Sequence, residues 1–149
     1  MRAVVQRSGE ARVEVSGNVV GAISSGVVVL LGITATDGDK EARWLADKVS
    51  NLRIFNDDEG KMNRSLLDVS GELLLVSQFT LYGDARRGRR PSFITAAQGL
   101  EARAVYERSI EAFEALGVRT ATGEFGAEMD LSLTNRGPTT ILLDSDKTF

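Results

Sequence analysis

Ser77, Gln78 and Thr80 place three polar side chains within four residues, at the end of the apolar run Leu73–Val76 in the stretch ELLLVSQFTL (Glu72–Leu81). A short continuous apolar run reads as a central strand, so these polar atoms fall where that strand should leave the core. Hydroxyls and an amide on a rigid rim can position a substrate. A serine or threonine can also attack an ester or amide when a base takes its proton. The bland alternative is an ordinary strand end, with hydroxyls satisfying nearby backbone. The chain contains no histidine and no cysteine. That removes an imidazole base, a thiol nucleophile, disulfides and Cys/His zinc sites, and leaves hydrolysis to Ser, Thr, Asp, Glu, Lys, Tyr, backbone groups or the substrate itself.

Two further segments could do chemistry. Thr134-Asn135-Arg136-Gly137-Pro138-Thr139 lies between two strand candidates near the far end of the chain, and its Gly-Pro pair fits a turn. Arg86, Arg87, Arg89 and Arg90 put four guanidinium groups within five residues, with Gly88 loosening the run and Pro91 stiffening its end. Such a loop is either a solvated basic surface or a contact for phosphates, which guanidinium groups attract with little regard to base sequence. Asp57-Asp58-Glu59 lacks the spacing of a calcium loop and reads as a solvated turn.

The elements that must position these groups begin with strands. Arg2–Arg7 and Ala11–Val15 read as two short strands broken at Ser8-Gly9-Glu10, followed by a turn at Ser16-Gly17-Asn18. Val19–Ile23 and Val27–Ile33 come next, and VVVLLGI is apolar on both faces, the mark of a strand covered from both sides. Ala42, Leu45, Ala46, Val49 and Leu52 then recur at helical spacing, predicting a helix near Asp39–Leu52 opened by a Thr36/Asp39 capping box. Arg53–Phe55 reads as a short strand, Asn56–Gly60 as a turn and Lys61–Leu67 as a connector. A second helical stripe, Ala102, Val105, Tyr106, Ser109, Phe113 and Leu116, predicts a helix from about Leu100 to Leu116 with Gly117 beyond its end. Val118–Thr122 is a strand and Gly123–Ala127 a loop around Phe125; Met129, Leu131 and Leu133 alternate with polar residues, and Thr139–Leu143 is the last strand. Met129 fits a pocket wall and a core position equally well.

At 149 residues, with 42% hydrophobic and 26% charged residues, the chain is expected to form one domain, residues 1–149, of the α/β class. The net charge of -3 excludes a broadly basic nucleic-acid coat, although the cations are mostly arginine, with Lys40, Lys48, Lys61 and Lys147 as the lysines. No stretch has the length and apolarity of a signal peptide core or a membrane span, so no membrane contact and a cytoplasmic location are expected.

Taken together, Gln6-Arg7, Arg53-Ile54-Phe55 with Gly60-Lys61-Met62-Asn63, Ser77-Gln78-Phe79-Thr80-Leu81, Arg90-Pro91-Ser92-Phe93 and Asn135-Arg136-Gly137-Pro138-Thr139 closely resemble the bacterial-type D-aminoacyl-tRNA deacylase family over essentially the whole length. The resemblance implies a three-layer β/β/α fold, a homodimer with shared active sites, and hydrolysis of D-aminoacyl-tRNA, with glycyl-tRNA as a further substrate. It implies that Ser77, Gln78, Phe79 and Thr80 line the pocket for the terminal adenosine and ester, with the ribose 2′-hydroxyl assisting. By the same resemblance Gly137 and Pro138, joined by a cis bond, reach into the neighbouring subunit and reject the L-form through backbone carbonyls. Arg7 would brace that motif, with Asn135 and Met129 in support, Arg86, Arg87, Arg89 and Arg90 would touch the tRNA, and neither a metal nor a cofactor is implied. The family often has valine where this chain has Thr139-Thr140, and it varies at Arg136. Two rival readings use the same residues: a non-catalytic RNA-binding module built on the arginine loop, and a general Ser/Thr acyl hydrolase.

Overall fold

The computed structural model describes residues 1–149. Along the chain come β1 (Arg2–Val15), β2 (Asn18–Ile23), β3 (Gly26–Gly32), α1 (Asp39–Asn51), β4 (Phe55–Asn56), β5 (Met62–Arg64), β6 (Glu72–Ser77), a 3-10 turn (Phe79–Tyr82), α2 (Gly99–Ala115), β7 (Arg119–Thr122) and β8 (Asp130–Asp144). The main sheet runs in the order β2-β1-β3-β6-β7, with β8 along the other side of β1. β3, β6 and β7 are parallel neighbours joined through α1 and α2, as parallel pairing requires a long crossover.

β1 and β8 are long enough to serve two layers. Arg2–Ser8 of β1 pairs with β3, whereas Ala11–Val15 pairs with β2, and β8 follows β1 through both halves. The second half curls over the face of β3, β6 and β7. There Ala11, Val13 and Ile23 pack with Val28, Leu74 and Val76. On the opposite face Val27, Val29, Leu31, Leu73 and Leu75 meet Leu45 and Val49 of α1 and Val105, Tyr106 and Phe113 of α2. Alternate residues of β3 and β6 thus enter different cores, which is why both runs are apolar on two faces. The result is the three-layer β/β/α α/β fold. Its two β layers approach closely enough that a Cβ on Gly21 would lie 2.1 Å from the Thr122 carbonyl oxygen.

Several local expectations change. Ser8-Gly9-Glu10 does not break β1; instead Gly9 leaves space for the Arg136 guanidinium, whose Nε would be 2.7 Å from an added Cβ. Gly137-Pro138 is not a turn between two strands but a bulge within β8. Gly38, not Thr36, caps α1, and the Glu41 carboxylate accepts its N–H at 3.0 Å. Arg53 is outside the short hairpin that β4 and β5 form. Its turn is held by the Asp57 carboxylate, which accepts the N–H groups of Glu59 and Lys61 at 2.9 Å. The second helix ends as expected, with Gly117 at φ 82 and its N–H on the Glu114 carbonyl. No helix is long and apolar enough to cross a membrane.

Asp144, at the end of β8, ties the C-terminal turn to β1. Burial pushes its carboxyl up, but donors from Thr148, Asp146 and Arg2 outweigh this and hold it below the usual carboxylate value. A carboxylate with a depressed folded-state pKa stabilises above its unfolded value, about 3.9, and loses that contribution as pH falls through the folded value. With no histidine to titrate, the unfolding midpoint is expected to be flat from about pH 5 to 7 and to fall below about pH 4, with a smaller acid drop in Asp144→Asn. An equal acid drop in that variant would assign the sensitivity elsewhere. In the cores, Phe113→Ala is expected to lose about 3–5 kcal/mol and Ile23→Val only about 0.5–1.5 kcal/mol in urea unfolding, because Phe113 is fully buried between helix and sheet.

Candidate functional site

The central strand ends where its ladder ends. Ser77 is the last β6 residue paired with β3, opposite Leu31, and the Gln78 N–H then donates to the Leu31 carbonyl at 2.7 Å. The chain turns at once into Phe79–Tyr82, whose opening N–H groups, at Phe79 and Thr80, have no carbonyl within the turn to bond. A cavity of about 560 Å³ opens beside this exit. Val76, Ser77, Gln78 and Phe79 form one wall, Ala97, Gln98 and Gly99 another, and Phe125, Gly126, Ala127, Met129 and Leu131 the third. The second wall is pinned to the segment that follows β3, since the Ala97 N–H reaches the Ile33 carbonyl at 2.8 Å and the Thr34 hydroxyl the Thr95 carbonyl at 2.7 Å. The third is anchored by Phe125 against Tyr106, ring centroids 5.5 Å apart. Tyr106 is itself fixed by its hydroxyl on the Leu75 carbonyl, 2.7 Å away, and burial pushes that phenol well above its ordinary value.

This cavity combines an apolar floor with polar atoms at one edge. Phe79 is 55% exposed and meets Phe93 edge to face at 5.1 Å, an aromatic surface on which a base or ring could pack. Thr80 stands just outside, and its hydroxyl oxygen accepts the Gln78 side-chain N–H. An amide donor cannot take a proton, so this contact does not make Thr80 a nucleophile. Another hollow, of about 460 Å³ between α1 and α2, is lined by Ala42, Ala46, Ala112 and Ala115 with solvated charges at its edge, and offers no comparable set of convergent groups.

The Gly-Pro segment is built differently. Gln6 pairs with Thr140 and Ser8 with Asn135, so Arg7 alone opposes Arg136, Gly137, Pro138 and Thr139. The extra residues bulge outward, and Gly137 and Pro138 are exposed with a cis bond between them. Asn135 closes the base of the bulge: its Oδ1 accepts the Thr139 N–H at 2.7 Å, and its Nδ2 donates to the Thr139 carbonyl at 3.2 Å and the Thr140 hydroxyl at 3.0 Å. Arg7 braces it from below, with Nε on the Arg136 carbonyl at 2.9 Å and Nη1 on the Ile54 carbonyl at 2.7 Å and Asn56 Oδ1 at 3.2 Å. Gly137 has φ 129, and an added Cβ would lie 2.6 Å from Thr139 Oγ1 and 2.7 Å from Arg7 Nη2. Only glycine fits there.

Ser77, Gln78, Phe79 and Met129 therefore share the cavity, with Thr80 beside it, whereas Arg7, Asn135, Gly137 and Pro138 form a second cluster. The sheet registers separate Gly137 from Ser77 by four residues along the strands and three strands across, roughly 20 Å at standard spacings. Within one chain the two motifs do not meet. The arginine loop follows the 3-10 turn, and Arg87, Arg89 and Arg90 are exposed. Arg86 is held by Asp84, through Nε to Oδ1 at 2.9 Å and Nη2 to Oδ2 at 2.7 Å, and this guanidinium keeps the Asp84 carboxyl well below the usual range. Sequence reasoning missed Asp84, Ile54 and Asn56 as partners and Phe93 as the ring packed on Phe79. A spaced Asp-Ala-Arg was the one available signal for the first.

The family model described as D-Tyr-tRNA(Tyr) deacylase matches residues 4–144. A D-aminoacyl-tRNA deacylase of Thermus aquaticus is 57% identical over 99% of this chain and 97% of its own length, and one of Desulfotalea psychrophila is 56% identical over 100% of both. Among solved structures, one titled c-Myc DNA Unwinding Element Binding Protein superposes with a TM-score of 0.91 at 40% identity, covering 97% of this chain and 99% of that one.

Asn135 carries a prediction of its own. Thr139 is 5% exposed, so Asn135→Ala strands its N–H without a partner, at about 1–3 kcal/mol. Urea unfolding should report that loss, with faster amide exchange at Thr139. Unchanged exchange there would mean that the bulge holds itself without the clamp.

Proposed function

This chain belongs to the D-Tyr-tRNA(Tyr) deacylase family, and we propose that it hydrolyses the ester between a D-amino acid and the terminal ribose of tRNA as a homodimer, each copy's Gly137-Pro138 bulge completing the other's pocket. The observation that carries the shared site is the separation of roughly 20 Å between the bulge and the strand exit of the same chain. A rigid, exposed bulge that cannot reach its own cavity needs a second copy to serve it.

In the reaction, water adds to the ester carbonyl carbon, the bond to the ribose oxygen breaks, and the proton from water ends on that oxygen. The amino acid leaves as a carboxylate, and the second proton of the water passes to solvent. No imidazole is available, so the work falls on orientation and on stabilising the tetrahedral oxyanion. The N–H groups that open the turn at Phe79 and Thr80 suit that oxyanion, and loss of one such donor in known oxyanion holes costs about 10²–10³-fold in rate. The ribose 2′-hydroxyl assists the proton transfers. Ser77, Gln78 and Phe79 hold the terminal nucleoside, with Met129 at the opposite wall.

Handedness follows from backbone alone. The carbonyls of Gly137 and Pro138 hold the α-ammonium, and the bulge occupies the space that an L side chain needs. The D side chain points outward. Glycine has no side chain to reject, so glycyl-tRNA is also a substrate. Exposed Arg87, Arg89 and Arg90, with Arg86, contact the tRNA backbone, and this substrate places the protein in the cytoplasm.

The test is release of matched D- and L-forms of one amino acid from the same tRNA. Fast D-release with negligible L-release is expected. Gly137→Val, whose side chain must displace Arg7 or Thr139 from a backbone at φ 129, should lose at least about tenfold in D-release and lower the unfolding midpoint by several degrees while remaining folded at the assay temperature. Thr80→Ala should retain appreciable activity. Equal release of both forms would replace the chiral filter with a general acyl hydrolase, a stable acyl-enzyme on Thr80 would make that residue the nucleophile, and binding without release would leave an RNA-binding module.

A further inference from the structure

The arginine loop is more ordered than its composition suggests. Asp84 and Ser92 exchange two backbone hydrogen bonds, at 2.8 and 2.9 Å, and close residues 85–91 into a pinned projection. Both ends of that projection are fixed to the candidate site. On one side the Gly83 N–H bonds the Thr80 carbonyl at 2.9 Å, and on the other Phe93 packs on Phe79. The hollow beneath the projection, about 530 Å³, is lined by Asp84, Arg86, Arg87, Arg90 and Ser92 and contains no apolar residue. Three guanidinium groups and a hydroxyl around such a hollow suit phosphate oxygens and not a base.

One carboxylate stands among them. Asp84 meets the Arg86 guanidinium with both oxygens, at 2.9 and 2.7 Å, and Oδ1 also accepts the Arg86 N–H at 3.0 Å. This two-point contact is the geometry that a phosphate would make with the same fork. Arg86 is highly exposed, its side chain at 88%, so nothing but Asp84 keeps it from an incoming anion.

We propose that Asp84 is an internal stand-in for phosphate: it occupies the Arg86 fork in the free protein and is displaced by a backbone phosphate of the single-stranded 3′ end of the RNA. The inference rests on the deacylase reading for its substrate. The position of the loop selects which phosphates. Arg86 follows Thr80 by six residues, a reach of at most about 20 Å even for extended chain. With the ester beside Thr80, only phosphates of the last few nucleotides lie within that range. The carboxylate lowers affinity for any RNA whose 3′ end reaches the loop, whatever its base sequence, because phosphate contacts carry no sequence information. Exchange of Asp84 for phosphate breaks one ion pair and makes another, so the loop keeps its bridge and shape throughout.

Binding of uncharged tRNA, measured by filter retention across a salt series, tests this without requiring turnover. Asp84→Asn retains the backbone bridge and should bind about two- to fivefold tighter with an unchanged salt slope. Arg86→Gln should bind more weakly, with the slope of log K against log salt reduced in magnitude by about 0.7. In the Arg86→Gln background, Asp84→Asn should bring little further gain, and removal of the last three nucleotides of the tRNA should abolish the gain in the single variant. Unchanged or weaker binding by Asp84→Asn, or a full gain persisting without Arg86 or without the 3′ nucleotides, would overturn the inference. If D-amino acid release is normal while these outcomes fail, the deacylase reading stands and the stand-in falls. Failure of release with the binding pattern intact would remove the reaction and leave the stand-in.

Discussion

Burial of β3 and β6 from both sides is the constraint on which the rest of the structure depends. A strand pair covered by helices on one face and by a curled β layer on the other has no wet face on which to display polar side chains. Each apolar side chain so buried contributes about 1.5–3 kcal/mol, and a polar replacement without a partner would cost a similar amount. Chemistry is thereby confined to the ends of the pair. Ser77 and Gln78 mark the first positions at which β6 escapes both cores, and the cavity opens there.

The same constraint explains the length of β1 and β8. To cover β3, β6 and β7 with a second layer, the chain must continue β1 past the end of β3 and carry β8 along with it. Two long paired strands that change layer must absorb a mismatch, and they do so at Arg7, where four residues of β8 face one of β1, and again between Ser8 and Ala11, where Gly9 and Glu10 face Thr134. The exposed Gly-Pro bulge is thus located where the sheet bends between its two cores. Arg7 links it to the rigid part, because its guanidinium spans β8 and the carbonyl of Ile54.

Legibility in the sequence followed the range of the forces involved. Both helices and the two-sided strands were readable because periodicity records burial directly, and Gly117 ended α2 as its backbone required. Ser8-Gly9-Glu10 and Gly137-Pro138 were misread as breaks because each is a turn signal judged locally, whereas the ladder between β1 and β8 joins residues more than a hundred positions apart. The Thr36 cap failed for a similar reason: Asp37 accepts the Thr34 N–H, leaving Gly38 to open the helix. The residue types of the candidate site were legible. Their separation into two clusters was not, since no pattern in a chain states the distance between two strand ends.

Discrimination between mirror-image amino acids, as proposed for this chain, sets a demand that the architecture would meet in a particular way. The two forms differ only in which substituent at the α-carbon is hydrogen, so a filter must hold its wall to about 0.5 Å against the reacting ester. A side chain on a loop has rotamers and would blur that position. In the proposed site the wall is backbone, held by Asn135 across the neck and Arg7 beneath, with no Cβ at Gly137 to introduce a degree of freedom. The other half of the site is equally fixed, since the turn after Ser77 is tied to β3 and its flanking wall to Ile33. On the proposed homodimer reading, two rigid halves carried by different copies would leave a single variable, the geometry of the dimer. Stiffness in the interface, more than any one side chain, then sets how well the two hands are told apart.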